Sequence, residues 1–298
     1  MSMPSKGQGV SSVIHDLGYR HYGGARLGRA QITRALFLES AKGSWGLGRP
    51  ARSKTMPMLL LGAMCLPALI IAVVAGLTHV DKLPMNYTSY SFTVQLLVMV
   101  FVAGQAPANV SRDLRFRVMS LYFSRPLQRI DYVVAKFSAL AAALFALMAI
   151  PLTILLAGAV LAELSASEQL PDYFRSLGGA ALVAIVLAAI GLVIASLTPR
   201  RGLGVAAIIA VLAVLAGVQA AVQGIAIAQK QDTFAGYAGL ISPFTLVDGV
   251  QHSLLGAETS ALAGPPGTMG TLVFAGTLVL LVAACFGALT LRYRKVTI

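Results

Sequence analysis

The sequence predicts an all-α, polytopic integral membrane protein: six transmembrane helices with an N-terminal interfacial amphipathic helix, both termini cytoplasmic. Three observations lead there. Hydrophobic residues make up 57% of the 298 positions and charged residues only 11%, with a mean hydropathy of +0.79. A soluble domain carries about 25% charged residues, so this composition cannot clothe a water-facing surface, and soluble enzyme classes are set aside. The apolar residues gather in six long runs, and the basic residues gather between alternate runs.

A helix crossing about 30 Å of hydrocarbon needs about 20 apolar residues. The stretches 56–79, 91–110, 137–161, 177–197, 203–228 and 269–291 meet that length. The second is diluted by Gln95, Gln105 and Asn109, and the third holds Pro151, which is expected to kink it by removing a backbone donor. No apolar h-region lies in the first 30 residues, so no cleavable signal peptide is expected and the first span is its own anchor.

Orientation follows from the Lys/Arg bias of the loops. The tail before Met56, the connections between spans two and three and between four and five, and the C-terminus hold all but three of the basic residues, the exceptions being Lys82, Arg175 and Lys230. Seven of the eleven acids (Asp81, Glu163, Glu168, Asp172, Asp232, Asp248 and Glu258) fall on the opposite side. The net charge of +12 thus separates into about +16 and −4, the basic side being cytoplasmic. A pI near 10 would otherwise point to nucleic acid. Sorted by topology, the charge reads as orientation and as attraction to an anionic leaflet, and no nucleic-acid partner is expected.

The chain divides into a cytoplasmic basic tail with an interfacial helix, residues 1–55, and a membrane domain, residues 56–298. Within the tail, residues 28–44 place Ile32, Leu36 and Phe37 on one helical face and Arg29, Arg34, Glu39 and Lys42 at polar positions. A basic amphipathic helix before a first span lies naturally among lipid headgroups, with Trp45 as its interfacial anchor. A partly disordered basic tail is the plainer alternative.

No ionisable side chain stands at the centre of any span, where proton relays and acidic sodium sites reside. The sequence has no GxxxxGK[ST] phosphate loop, no HExxH and no GxSxG elbow. No catalytic residue, metal ligand set or cofactor site is expected in this chain. Cys65 and Cys285 lie inside apolar runs and read as packing residues. Energy for active transport must therefore come from another polypeptide. The uncharged polar residues at span depth, Gln95, Gln105, Asn109, Gln219 and Gln223, read either as interhelical hydrogen bonds or as the lining of a substrate pathway.

The segment 109–136 is too long for a simple reversal, which takes about two to eight residues between helices. It is basic, then apolar through Met119, Leu121, Tyr122 and Phe123, and turns at Ser124-Arg125-Pro126. Here the chain resembles ATP-binding-cassette (ABC) exporter permeases of the type-2 family. In that family a polar S-R-E/D stretch leads to an L-x-x-S-R-P-hydrophobic-x-R element before the third span. The matching residues are Ser111, Arg112, Asp113, Leu121, Ser124, Arg125, Pro126, Leu127 and Arg129. A second similarity lies in Ile241-Ser242-Pro243-Phe244 with Leu246, Val247, Asp248 and Gly249 before the last span. The tail is longer and more basic than in many members, and Asp113 stands where glutamate is more frequent.

The resemblance implies a transmembrane subunit that pairs with a second permease copy, a homodimer rather than a heterodimer, to form the pathway for ATP-driven export at the plasma membrane. It implies a separate cytoplasmic ABC ATPase that binds ATP and Mg, so that this chain is not itself an enzyme. Arg112, Asp113, Arg115, Arg117, Leu121, Ser124, Arg125, Pro126 and Arg129 would form the coupling loop docked on that ATPase, and residues 229–268 would be an outer re-entrant region. The rival readings are a partner-independent secondary transporter or channel, and an integral-membrane enzyme.

Overall fold

The computed structural model describes residues 24, 28–78, 83–116, 122, 127–198 and 200–294, apart from the side chain of Arg112. Among the described residues the only regular secondary structure is helix. Helix α1 (Arg29–Ser44) leads through a tight turn into α2 (Ala51–Thr78), followed by α3 (Tyr87–Thr93), α4 (Gln95–Arg115), α5 (Arg129–Leu161), α6 (Ala166–Leu197) and α7 (Arg201–Ala228). Two short helices, α8 (Asp232–Ala238) and α9 (Pro243–Leu255), precede the final α10 (Gly267–Arg294).

Five helices (α2, α5, α6, α7 and α10) are long and apolar enough to cross a membrane. The pair α3 and α4 makes a sixth span when taken together. The expected second span, 91–110, is therefore neither straight nor so short. It breaks at Val94 with a bend of 54° and continues as helix to Arg115. By contrast, α5 runs unbroken through Pro151, and the Thr153 hydroxyl donates to the Ile150 carbonyl at 2.6 Å in the adjoining turn.

The bundle is built around α5 and α6, which pack on each other; α5 also carries α1, α2 and α4, while α6 carries α4, α9 and α10. Of their most apolar stretches, 44% and 56% of residues are buried, against 22%, 17% and 17% for α2, α7 and α10. The outer helices leave large apolar side chains uncovered: Leu59, Leu66, Leu69 and Val73 on α2, Val214 and Val218 on α7, Leu272 and Leu280 on α10. In water such a surface would aggregate. In hydrocarbon it is the ordinary outer face of a helix, and the chain is a multi-pass membrane protein.

Close packing inside depends on small residues, since lipid tails are as apolar as leucine and helix association rests on van der Waals contact. A Cβ at Gly158 of α5 would run into the backbone of Ala72 on α2, and one at Gly191 of α6 would press on Val102 and Ala106 of α4. Helix α1 buries Leu36, Ser40, Gly43 and Ser44, four residues that recur along one face. Its buried side lies mainly against α5.

Candidate functional site

Most of the expected coupling loop is helix at its roots. Residues 109–115 form the last two turns of α4, and α5 begins at Arg129. Arg117, Leu121, Ser124, Arg125 and Pro126 lie outside the described residues, as does the side chain of Arg112. The two roots are fastened to each other. Lys136 Nζ stands 3.0 Å from Asp113 Oδ2, and the Tyr132 hydroxyl donates to the same oxygen at 2.8 Å. Tyr132 and Lys136 are four residues apart on α5 and so share a face. The ammonium also lies over the Tyr132 ring, 5.5 Å from its centroid. Both partners of the pair are largely withdrawn from solvent, with side chains 8% and 16% exposed for Lys136 and Asp113. Asp113 therefore points into the bundle.

Further contacts tie this junction to both ends of the chain. The Arg29 guanidinium grips Asp131 in a two-pronged pair, Nε to Oδ2 at 2.5 Å and Nη2 to Oδ1 at 2.7 Å, the geometry that a planar fork favours. That hydrogen bond, aided by the carboxylate's charge, raises the Arg29 pKa further above its already high value. Asp131 also accepts from the Gln128 amide at 3.0 Å, closing a capping box at the start of α5. Arg129 Nη1 donates to the Arg294 carbonyl at 2.7 Å, and the Tyr132 and Tyr293 rings meet edge-on at 5.2 Å. Helices α1, α4, α5 and α10 thus meet in one knot at the basic end of the bundle. Arg115 is exposed, stacked at 5.8 Å from the Phe116 centroid.

Sequence reasoning singled out Asp113 and Arg129 but missed Tyr132 and Lys136 as the partners of Asp113, the Arg294 carbonyl as an acceptor for Arg129, and the Arg29–Asp131 pair beside them. The i, i+4 spacing of Tyr132 and Lys136 was a usable local signal. Nothing local connects Arg29 to a residue 102 positions away.

The polar residues at span depth make separate contacts. Asn109 is buried and donates to Ser44 Oγ at 2.8 Å, pinning α4 to the end of α1. Gln105 is buried beside Met56, and Gln95 is half-buried just after the break in the second span. Gln219 donates to Gln223 at 2.7 Å. Gln223 in turn donates to the carbonyls of Ala235 and Ala263, each at 3.1 Å.

At the opposite end of the bundle, residues 229–268 fold around α9. Pro243 opens that helix, where its missing N–H costs nothing. The buried Asp248 carboxylate accepts from Thr259 Oγ1 at 2.9 Å and from the Ser260 and Ala261 amides at 3.2 and 3.1 Å. The acid of the second sequence similarity thus holds the chain returning toward α10. Among the described residues no group of His, Cys, Asp and Glu could hold a metal ion.

No curated protein matches this chain. A family model described as ABC-2 family transporter protein matches residues 109–296, which run from the last turns of α4 to the C-terminal end and span well over half of the chain. The match covers both the Asp113–Lys136 junction and the Asp248 segment. On that match the chain belongs to the ABC-2 family of membrane transporter proteins.

Proposed function

We propose that this chain is the permease subunit of an ATP-driven exporter, working as a homodimer in the plasma membrane with its termini in the cytoplasm. A separate ABC ATPase, which binds ATP and Mg, docks on the segment joining α4 and α5; this chain hydrolyses nothing itself. One observation carries the reading: the roots of that segment are locked together by Asp113, Tyr132 and Lys136. A push on residues 117–126 would reach α4 and α5 as a unit, and through Arg29–Asp131 and Arg129–Arg294 it would reach α1 and α10. Exposed Arg115, with Arg117 and Arg125 in the segment itself, supplies charge that fixes register at such an interface. Asp113 and Arg129 serve as the internal brackets that make the push effective.

Affinity purification of the full-length chain from its own cells, followed by identification of retained proteins and an ATP hydrolysis assay, tests this. An ABC ATPase should be retained, and Arg115→Glu with Arg125→Glu should release it while the chain still inserts. Transport by the chain alone in liposomes, or retention of the ATPase unchanged by the reversals, would overturn the proposal.

A further inference from the structure

The second span breaks at Val94, and beside the break lies a cavity of about 30 Å³. Thr88 and Ser91 border it from α3, the outer half of that span. Met148 closes it from α5, Gly179 from α6, and Asp248 and Gln251 from α9. The wall is therefore mixed: apolar at Met148 and Gly179, but carrying hydroxyl, carboxylate and amide oxygens on the sides of α3 and α9.

Gln251 has unfinished hydrogen bonding there. Its Nε2 donates to Thr88 Oγ1 and to the Arg175 carbonyl, each at a long 3.4 Å. A carbonyl can only accept, which fixes the nitrogen of the amide on that side. Oε1 is turned to Gly179, where a Cβ would collide with it. No donor among the described residues reaches this oxygen. Gln251 is only 6% exposed, and a buried amide oxygen is normally hydrogen-bonded. The nearby Ser91 hydroxyl gives its hydrogen to the Tyr87 carbonyl at 3.2 Å, so it is an acceptor toward the cavity.

We propose that this cavity holds a bound water, which donates to Gln251 Oε1. Dry cavities are apolar, and a buried water needs about 10–15 Å³ with about two to four polar partners. The cavity has room for one or two such molecules. Ser91 Oγ and the Asp248 carboxylate border the same space and are acceptors for the water's second hydrogen. The water ties the outer half of the broken span to α9, two elements that come from distant parts of the chain. Neither the site nor its test depends on whether an ATPase docks or on what is transported.

X-ray radiolytic footprinting of the purified full-length chain in detergent tests this. X-rays convert water to hydroxyl radicals, which oxidise a neighbouring methionine to its sulfoxide. Met148 is 3% exposed and lines the cavity, whereas Met64 is fully buried and lies outside its wall. Mass spectrometry should find Met148 oxidised several-fold faster than Met64. A radical scavenger confined to bulk solvent should leave that ratio unchanged. Gln251→Leu removes the acceptor and should bring Met148 close to the rate of Met64. If that variant does not fold, Ala180→Val, which takes up cavity volume and removes no polar group, should lower the rate likewise. Equal rates at the two methionines, a Met148 rate abolished by the scavenger, or a rate that neither variant moves would overturn the proposal. A Met148 rate that falls as sodium is added would make the occupant a cation and overturn it as well.

Discussion

Asp113 near the end of α4 and Lys136 in the second turn of α5 form a 3.0 Å ion pair across the roots of the segment that joins their helices. With both side chains largely buried, the pair is costly to halve and cheaper to remove whole. Taking one partner leaves a charge without compensation, whereas replacing both by apolar groups leaves none. Asp113→Asn or Lys136→Met should each lower stability by roughly 2–4 kcal/mol. Asp113→Leu combined with Lys136→Met should cost less than the two single losses added. Unfolding curves of the four proteins in detergent give the coupling directly; strict additivity would show that the pair is not a fastener.

Gln219 and Gln223 share a face of α7 but have unequal duties. Gln223 holds two carbonyls, Ala235 and Ala263, while Gln219 donates to Gln223 itself. Gln223→Leu should therefore destabilise by roughly 2 kcal/mol and Gln219→Leu by about 1 kcal/mol, the scale of the hydrogen bonds lost. Limited proteolysis between residues 229 and 268 should follow the same order. If both variants fold as wild type but transport differently, the two glutamines act on substrate and not on the fold.

Asp248 makes the return segment rigid through Thr259, Ser260 and Ala261. Asp248→Ala leaves two amides unpaired and should accelerate their hydrogen exchange at least about tenfold, a local opening cheaper by roughly 1.4 kcal/mol or more. Asp248→Asn retains one acceptor oxygen and should fall between. Unchanged protection at residues 260 and 261 in the alanine variant would remove this carboxylate from the account.

Gly46 and Gly48 both adopt positive φ in the turn between α1 and α2, at +67° and +77°. Only Gly46 is also hemmed in: a Cβ there would collide with the Ser53 carbonyl, while one at Gly48 meets open space. Gly48→Ala should cost roughly 1–2 kcal/mol, the penalty of a left-handed L-residue. Gly46→Ala should cost clearly more and shift the start of α2. Thermal unfolding of the two variants compares them, and equal midpoints would contradict the collision.

Several elements were legible because they rest on local sums. The apolar runs 56–79, 203–228 and 269–291 agree closely with α2, α7 and α10, and residues 28–44 with α1. The second span was misjudged at both ends. Its N-terminal part bends away at Val94, and its C-terminal part stays helical past Asn109 although Asp113 and Arg115 lower its hydropathy. A polar turn can continue a helix when a neighbour satisfies its charge, and the neighbour here, Lys136, belongs to another element. The start of α5 at Arg129 is the same case, with Asp131 matched by Arg29.

The sequence by itself determined the class of the molecule: how many long apolar stretches it has, and that cations and acids sort to opposite ends. These are properties of each stretch alone, set by how much hydrocarbon it can occupy and how much charge flanks it. Only the tertiary structure decided which polar groups meet. Asp113 with Lys136 and Gln223 with two carbonyls depend on which helices lie side by side. Which helices do so is a matter of shape between elements, as where Gly158 lets α5 close on α2 and Gly191 lets α6 close on α4, and no local count contains it.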